Sequence, residues 1–149
     1  MLDVLSPVSG QSTMVSEVPD PVFATGLVGP GVAINPGPGR QSAVAPITGR
    51  LVRLLPHAFL VHGDTGPGVL VHLGIDTVEM QGDGFSLLLA EHDPVEAGAD
   101  VVTWDPQYVA STGRSPICAV IVLDCDAAVF IGDLGSLVHS GDRLFSVDC

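Results

Sequence analysis

Short apolar segments alternate with glycine- and proline-rich turns along the whole chain. The turns include the sequences SPVSG, NPGPG, GDTGPG, QGDG and EAGAD, with apolar runs such as VLVHL between them. This spacing is typical of antiparallel strands in a sandwich or a partly closed barrel. Two segments, Ser86–His92 and Pro106–Ser111, are candidates for short helical turns. The pattern therefore predicts an all-β fold: an antiparallel β-sandwich or partly closed barrel with short helical turns.

Length and composition favour one folded domain over residues 1–149. A chain of this length can bury a core, and 46% hydrophobic with 15% charged residues argues against disorder. No apolar run approaches the roughly 20 residues of a membrane-spanning helix. The start, MLDVLSPVSG, lacks the charged and apolar regions of a signal peptide. We therefore expect a free-standing, cytoplasmic domain without direct membrane insertion.

Charge and side-chain inventory exclude several function classes. A net charge of −12 would repel polyphosphate, so a generic nucleic-acid binder is excluded. All five cationic side chains are arginines, and the absence of lysine removes Schiff-base chemistry and any biotinyl or lipoyl attachment. The three cysteines, Cys118, Cys125 and Cys149, follow no metal-binding pattern, so we expect reduced thiols.

Two histidines lie in apolar segments that are predicted to form neighbouring strands. Residues 57–61 and 69–73 flank the turn sequence GDTG, which favours an antiparallel hairpin. If the hairpin is centred in the middle of that turn, His57 lies directly opposite His72. Opposed side chains have Cβ atoms about 4.5–5.5 Å apart, so the two imidazoles would interact. The spacing therefore predicts a histidine pair.

The chemistry of this pair follows from its apolar surroundings. The predicted alternation puts Phe59 and Val61 on the face of His57, and Leu70 on the other face. Two buried cations would repel, so at least one imidazole is neutral near pH 7 and can act as a nucleophile or a metal ligand. Zinc needs at least one more ligand, and the chain has no HxH or HExxH pattern. No intrinsic metal site is expected; His57 and His72 could hold a metal only if a partner supplied a carboxylate.

The histidine segments also carry a resemblance to a known family. The sequence HAF at residues 57–59, followed by VHLGIDTVEMQGDGF, closely resembles glucose-class enzyme IIA domains of the bacterial phosphoenolpyruvate-dependent sugar phosphotransferase system. The resemblance continues through SPVSG, EVPDPVF, VGPGVAINP and APITG. It covers essentially the whole chain, and the GIDTV block with the two histidines is its most specific part.

The resemblance implies a cofactor-free phosphotransferase component that works through a phosphohistidine. His72 would accept a phosphoryl group from the histidine-containing phosphocarrier protein and pass it to the IIB cysteine of a IIB/IIC sugar permease of the glucose, N-acetylglucosamine or β-glucoside class. His57 would hydrogen-bond the phosphoryl oxygens. Phosphoryl transfer needs an in-line nucleophile and donors for the equatorial oxygens, which the two imidazoles can supply.

The resemblance also implies a docking face for these partners. Matched apolar positions form a collar around the histidines, and two matched carboxylates meet arginines on the phosphocarrier. Without the resemblance, each apolar position would simply be core, and each acid a turn or capping residue. The apolar positions are Val22, Phe23, Leu27, Val28, Leu60, Leu70 and Val78, and the carboxylates are Asp20 and Asp76.

The chain departs from the family pattern just before His57. Family members often have a threonine there that orients a histidine, whereas the segment Val52–Pro56 has no hydroxyl. Some members have an amphipathic basic N-terminal tail; here SPVSG follows almost at once, so self-anchoring to membrane lipid is not expected. Two alternatives stay open: a regulatory binding protein whose phosphorylation state controls transporters or enzymes and, as a distant third, a zinc-binding site.

Overall fold

A computed structural model describes residues 2–25, 29–64, 66–125, 129–131 and 134–148. These residues form short strands, two α-helices of one to two turns each, and two 3-10 turns at Val15–Glu17 and Thr77–Met80. The helices are α1 (Pro21–Ala24) and α2 (Pro106–Ser111). The strands are β1 (Leu2–Leu5), β2 (Gly10–Met14), β3 (Gly31–Pro36), β4 (Gln41–Val44), β5 (Gly49–Leu55), β6 (Ala58–His62), β7 (Gly68–Leu73), β8 (Phe85–Leu87), β9 (Pro94–Val95), β10 (Asp100–Trp104), β11 (Cys118–Leu123), β12 (Val129–Ile131), β13 (Leu137–Val138) and β14 (Arg143–Val147).

The strands form one large sheet and two small ones. The large sheet has the order β13-β2-β3-β11-β7-β6-β5-β9, and the small sheets have the orders β1-β14-β12 and β4-β10-β8. Every strand pairing among them is antiparallel. The predicted all-β, antiparallel fold is confirmed. No helix in the described part of the chain is long and apolar enough to cross a membrane.

The two helical predictions have different outcomes. The prediction for Pro106–Ser111 is confirmed, because Asp105 caps this helix by accepting hydrogen bonds from the N–H groups of Gln107 and Tyr108. The prediction for Ser86–His92 is wrong. Its first residues pair with β10, and the N–H of Leu88 donates to the carbonyl of Val101 at 2.9 Å. Backbone groups that are used in a sheet are not available to a helix.

The core lies on both faces of the large sheet. Val120 and Val122 of β11 face the main apolar cluster, which the small sheets enclose. Ala119 and Ile121 alternate with them and face a second, smaller cluster that contains Phe23 of α1. Successive side chains of a strand point to opposite faces, so one strand serves both clusters. The second face is the one that carries His72, since Ala119 lies opposite His72.

The hairpin of β6 and β7 differs from the predicted register by one residue. Ala58, not His57, lies opposite His72. Five residues, 63–67, separate the two strands, and an odd number centres the hairpin on a residue rather than between two. The N–H of Gly63 bonds to the carbonyl of Pro67 at 3.3 Å across this loop. Leu70 is two residues before His72 on the same strand and shares its face in any register, so the expectation that Leu70 lies on the other face is wrong. The slip of one residue places Ala58 and Leu60 on the His72 face, whereas Phe59 and Val61, expected there, point into the main apolar cluster.

The cysteines also differ from expectation. Cys118 is free and fully buried, and burial raises the pKa of its thiol far above its ordinary value. Cys125, however, is disulfide-bonded, so the expectation of reduced thiols is wrong for this residue. The sequence contains no spacing pattern from which that bond could be deduced. Cys149 lies outside the described residues.

Candidate functional site

His72 lies in a row of small side chains on the outer face of the large sheet. Ala119 of β11 is opposite His72 on one side, Ala58 of β6 is opposite it on the other, and Ala33 of β3 extends the row. Methyl side chains leave the space beside and above the imidazole unfilled by the sheet itself. The half-buried His72 ring is therefore the largest side chain in its row. The rings of Phe23 and His57, from outside this row, contact it.

A backbone carbonyl fixes the tautomer of His72. Its Nδ1 lies 2.6 Å from the carbonyl oxygen of Gly74, which can only accept a hydrogen bond. Nδ1 of the neutral ring therefore carries the proton, and the lone pair is on Nε2. Gly74 reaches this position with φ +78°, a conformation that side-chain-bearing residues rarely adopt. The local backbone thus leaves Nε2 as the nucleophilic atom.

His57 reaches the same place from the turn before β6. The N–H of Leu73 donates to its carbonyl oxygen at 2.7 Å, which ties the turn to the end of β7. The His57 and His72 ring centroids are 5.2 Å apart, with an edge-to-face angle of 74°. His57 is only 9% exposed. The predicted proximity of the rings is present, although their strands pair in a different register.

Burial keeps both imidazoles neutral. Desolvation lowers the pKa of His57, and the neighbouring His72 lowers it further. Desolvation also lowers the pKa of His72; the hydrogen bond to Gly74 and the charges of Asp20 and Asp76 act in the opposite direction but do not overcome it. A neutral, oriented imidazole beside a second neutral imidazole can accept an electrophilic phosphorus and hydrogen-bond its oxygens.

Comparison with known proteins agrees with this chemistry. The family model described as "phosphoenolpyruvate-dependent sugar phosphotransferase system, EIIA 1" matches residues 2–128. The chain belongs to this family. It is a glucose-class EIIA domain, a phosphotransferase component, and the family resemblance seen in the sequence is confirmed.

Relatives of this EIIA chain occur both as separate components and as parts of longer proteins. It is 35% identical over 148 residues to the "PTS system glucose-specific EIIA component" of Staphylococcus aureus (strain COL), covering 97% of this chain and 88% of that protein. It is 38% identical over 122 residues to the "PTS system mannose-specific EIIBCA component" of Corynebacterium glutamicum, covering 82% of this chain but only 18% of that protein. The structure resembles "glucose permease IIA from Mycoplasma capricolum" with a TM-score of 0.89 and 34% identity, over 97% of this chain and 94% of that one.

The predicted apolar docking residues that the structure describes fall into three groups. Val22 in α1 and Val78 in the 3-10 turn after Asp76 are 50% and 63% exposed. Leu60 and Leu70 are opposite each other, partly buried, in the row next to His72. Phe23 is different, because it is 8% exposed and belongs to the buried cluster. Leu27 and Val28 lie outside the described residues.

The two predicted carboxylates begin short helical turns. Asp20 caps α1 by accepting a hydrogen bond from the N–H of Val22 at 2.9 Å. Asp76 precedes the 3-10 turn Thr77–Met80 in a left-handed conformation, with φ 60°. Both are close enough to His72 for their charges to raise its pKa. Two carboxylates therefore border His72 of this EIIA domain.

Sequence reasoning missed two polar features near the site. The carbonyl of Gly74 sets the His72 tautomer, and the only sequence signal was a glycine two residues after the histidine. Arg114 pairs with Glu79 at 3.3 Å in a cleft of about 470 Å³ that Asp76 also lines. These two residues are 35 positions apart, and no local pattern joins them.

The described residues offer little support for a metal centre. Among them, no group of three or more histidine, cysteine or acidic side chains is arranged to hold a metal ion. Two imidazoles fill only half of a tetrahedral zinc shell. If a partner supplied a carboxylate as the third ligand, the fourth position of the zinc ion would still need a ligand.

Proposed function

We propose that this EIIA domain is a phosphoryl carrier in which Nε2 of His72 is the transient acceptor. The donor is the phosphohistidine of the histidine-containing phosphocarrier protein. The acceptor is the IIB cysteine of a IIB/IIC sugar permease of the glucose, N-acetylglucosamine or β-glucoside class. The names of two relatives, a glucose-specific and a mannose-specific component of this system, support a sugar permease as the acceptor. The proposed place of the reaction is the cytoplasm.

The orientation of the His72 ring is the observation that carries this proposal. The lone pair on Nε2 attacks phosphorus in line with the P–N bond of the donor. That bond breaks, its electron pair returns to the donor imidazole, and an Nε2–P bond forms. The His72 ring gains positive charge in this step, and the Gly74 carbonyl that accepts its Nδ1–H stabilises that charge.

His57 stabilises the group in transfer. Its ring is 5.2 Å from that of His72, so an N–H of His57 can reach an oxygen of a phosphoryl group on Nε2. Val22 and Val78 pack against the partner and exclude water that would hydrolyse the phosphohistidine. Asp20 and Asp76 face arginines of the phosphocarrier.

The test is intact-mass analysis after incubation with phosphoenolpyruvate, enzyme I and the phosphocarrier. The wild type should gain one phosphoryl group, and His72→Gln should gain none. His57→Gln should still gain it but discharge slowly to a IIB domain. His62→Gln, in the same hairpin but exposed, is the matched control and should behave as wild type. A wild type that gains no phosphoryl group, or a His72→Gln variant that gains one, would refute the proposal.

The same face supports a second function, that of a regulatory binding protein. Val22 and Val78 expose apolar area that is available to other transporters or enzymes. A dianionic phosphoryl group placed between them would make that area unfavourable for an apolar partner. Capture of such a partner by the unphosphorylated protein, and its release on phosphorylation, would establish this role; equal capture of both forms would exclude it.

A further inference from the structure

Phe23 is in direct ring contact with His72 and is not part of the exposed surface. The ring centroids are 5.2 Å apart with an interplanar angle of 54°, and Phe23 is 8% exposed. Its neighbour Val22 is 50% exposed. Adjacent residues of the same short helix therefore have different surroundings: one faces a partner, and the other faces the nucleophile.

Small side chains from two strands, β3 and β11, lie in the cluster that contains the Phe23 ring. Ala33 and Ala119 lie in the same row as His72 and belong to the same buried cluster as Phe23. Their methyl groups leave room for a flat ring next to the imidazole, where larger side chains would fill the space.

The helix that carries Phe23 is held by its own local contacts. A helix of four residues is not stable alone. Asp20 accepts from the N–H of Val22, and the hydroxyl of Thr25 donates to the carbonyl of Pro21 at 2.5 Å. Pro21 also supplies the φ that the first helical residue needs. These contacts hold α1 in the orientation that aims Phe23 at His72.

His72 is consequently restrained from three directions. The Phe23 ring contacts it, the His57 ring contacts it edge-to-face, and Nδ1 is hydrogen-bonded to Gly74. An imidazole that cannot swing presents Nε2 in one direction. Fixed orientation of the attacking atom removes an entropic cost from the transfer step, and a misplacement of about 1 Å can reduce a rate roughly a hundredfold.

We propose that Phe23 is a positioning residue for phosphoryl transfer: its ring holds the plane of the His72 imidazole and keeps Nε2 directed at the partner. This inference rests on the proposed function of His72. It differs from the docking role implied by the family resemblance, because a docking residue acts on partner affinity whereas a positioning residue acts on the transfer step.

The test compares four variants in steady-state transfer from the phosphorylated phosphocarrier. Phe23→Leu removes the ring and keeps the position apolar; we expect kcat to fall about tenfold with KM within about twofold of wild type. Phe23→Tyr keeps the ring and should retain most of kcat. Val22→Ala should raise KM and leave kcat unchanged. Ile121→Val removes a methylene from the same buried cluster and should change neither.

A spectroscopic readout separates positioning from general damage. In Phe23→Leu, ¹H–¹⁵N spectra of the His72 ring should show a smaller fraction of the Nδ1–H tautomer than in wild type and Phe23→Tyr. Circular dichroism checks that each variant is folded. A rise in KM with unchanged kcat, or an unaltered His72 tautomer, would overturn the proposal. Failure of the proposed function itself would appear separately, as a wild type that takes up no phosphoryl group.

Discussion

Replacing Gly74 by alanine should destabilise the protein and also disturb the His72 side chain. Gly74 has φ +78°, and an added Cβ would lie 2.6 Å from Cγ2 of Thr77 and 3.1 Å from the carbonyl oxygen of Ser115. Thr77 cannot easily give way. It is fully buried, and its hydroxyl donates to the carbonyl of Leu73 at 2.8 Å. The backbone at position 74 must therefore move, and with it the carbonyl that binds His72.

The expected magnitude has two parts. A left-handed conformation costs a non-glycine residue about 1–2 kcal/mol, and the lower entropy of the unfolded chain returns about 0.4–1 kcal/mol. Overpacking adds about 1–3 kcal/mol. Gly74→Ala should therefore lower the free energy of unfolding by about 1–5 kcal/mol, of which about 1–3 kcal/mol is the overpacking term. Gly98→Ala is the control, because Gly98 has φ +90° with nothing within 4 Å of an added Cβ, and it should cost about 1 kcal/mol.

The assay is urea denaturation of both variants, followed by NMR titration of His72. Because the hydrogen bond to Gly74 raises the pKa of His72, its displacement should lower that pKa further. Equal destabilisation by Gly74→Ala and Gly98→Ala would refute the packing argument. An unchanged His72 pKa would show that the carbonyl stays in place despite the added methyl group.

Three further predictions concern titration and burial. Folding lowers the pKa values of His57 and His72 below 6.5, so their contribution to stability is complete above pH 6.5 and is lost as pH falls through the folded values. Urea denaturation at several pH values should show the free energy of unfolding falling with pH, by at most about 2.7 kcal/mol per pH unit for two protons. The variant with glutamine at both positions should lack this dependence. The Asp83 carboxylate accepts a hydrogen bond from Tyr108 and raises the pKa of that phenol, so Asp83→Asn should lower it, as read from phenolate absorbance. The buried indole N–H of Trp104 has no hydrogen-bond partner among the described residues, so Trp104→Phe should lower the free energy of unfolding by less than about 2 kcal/mol. A larger loss in urea denaturation would contradict this expectation.

The fold class and the histidine pair could be predicted because both depend on local pattern. Alternating apolar residues at 57–61 and 69–73 place two strands next to each other across a short turn. Ring proximity tolerates a register error of one residue, since His57 reaches His72 from the turn before its strand. The register itself could not be predicted, because it depends on how the five residues between the strands fold back.

The distinction between Phe23 and Val22 could not be predicted from local sequence. Both are apolar, adjacent and placed on a docking face by the family resemblance. Phe23 is buried in a cluster that includes Ala33 and Ala119 from two other strands, and these small side chains lie in the same row as His72. The pairing of Glu79 with Arg114 depends on the same kind of long-range contact.

The electrostatics of the site link partner docking to the reactivity of His72. The charges of Asp20 and Asp76 raise the pKa of His72, while burial lowers it by more. If arginines of the phosphocarrier pair with these carboxylates, as proposed, the influence that favours the imidazolium is neutralised at the moment of docking. A covering partner would also remove water from the exposed side of the ring, and both changes would lower the pKa of His72. These two effects oppose the attraction between the imidazolium and the incoming phosphoryl dianion, so the proposed contacts with the partner would help to keep Nε2 unprotonated as the donor approaches.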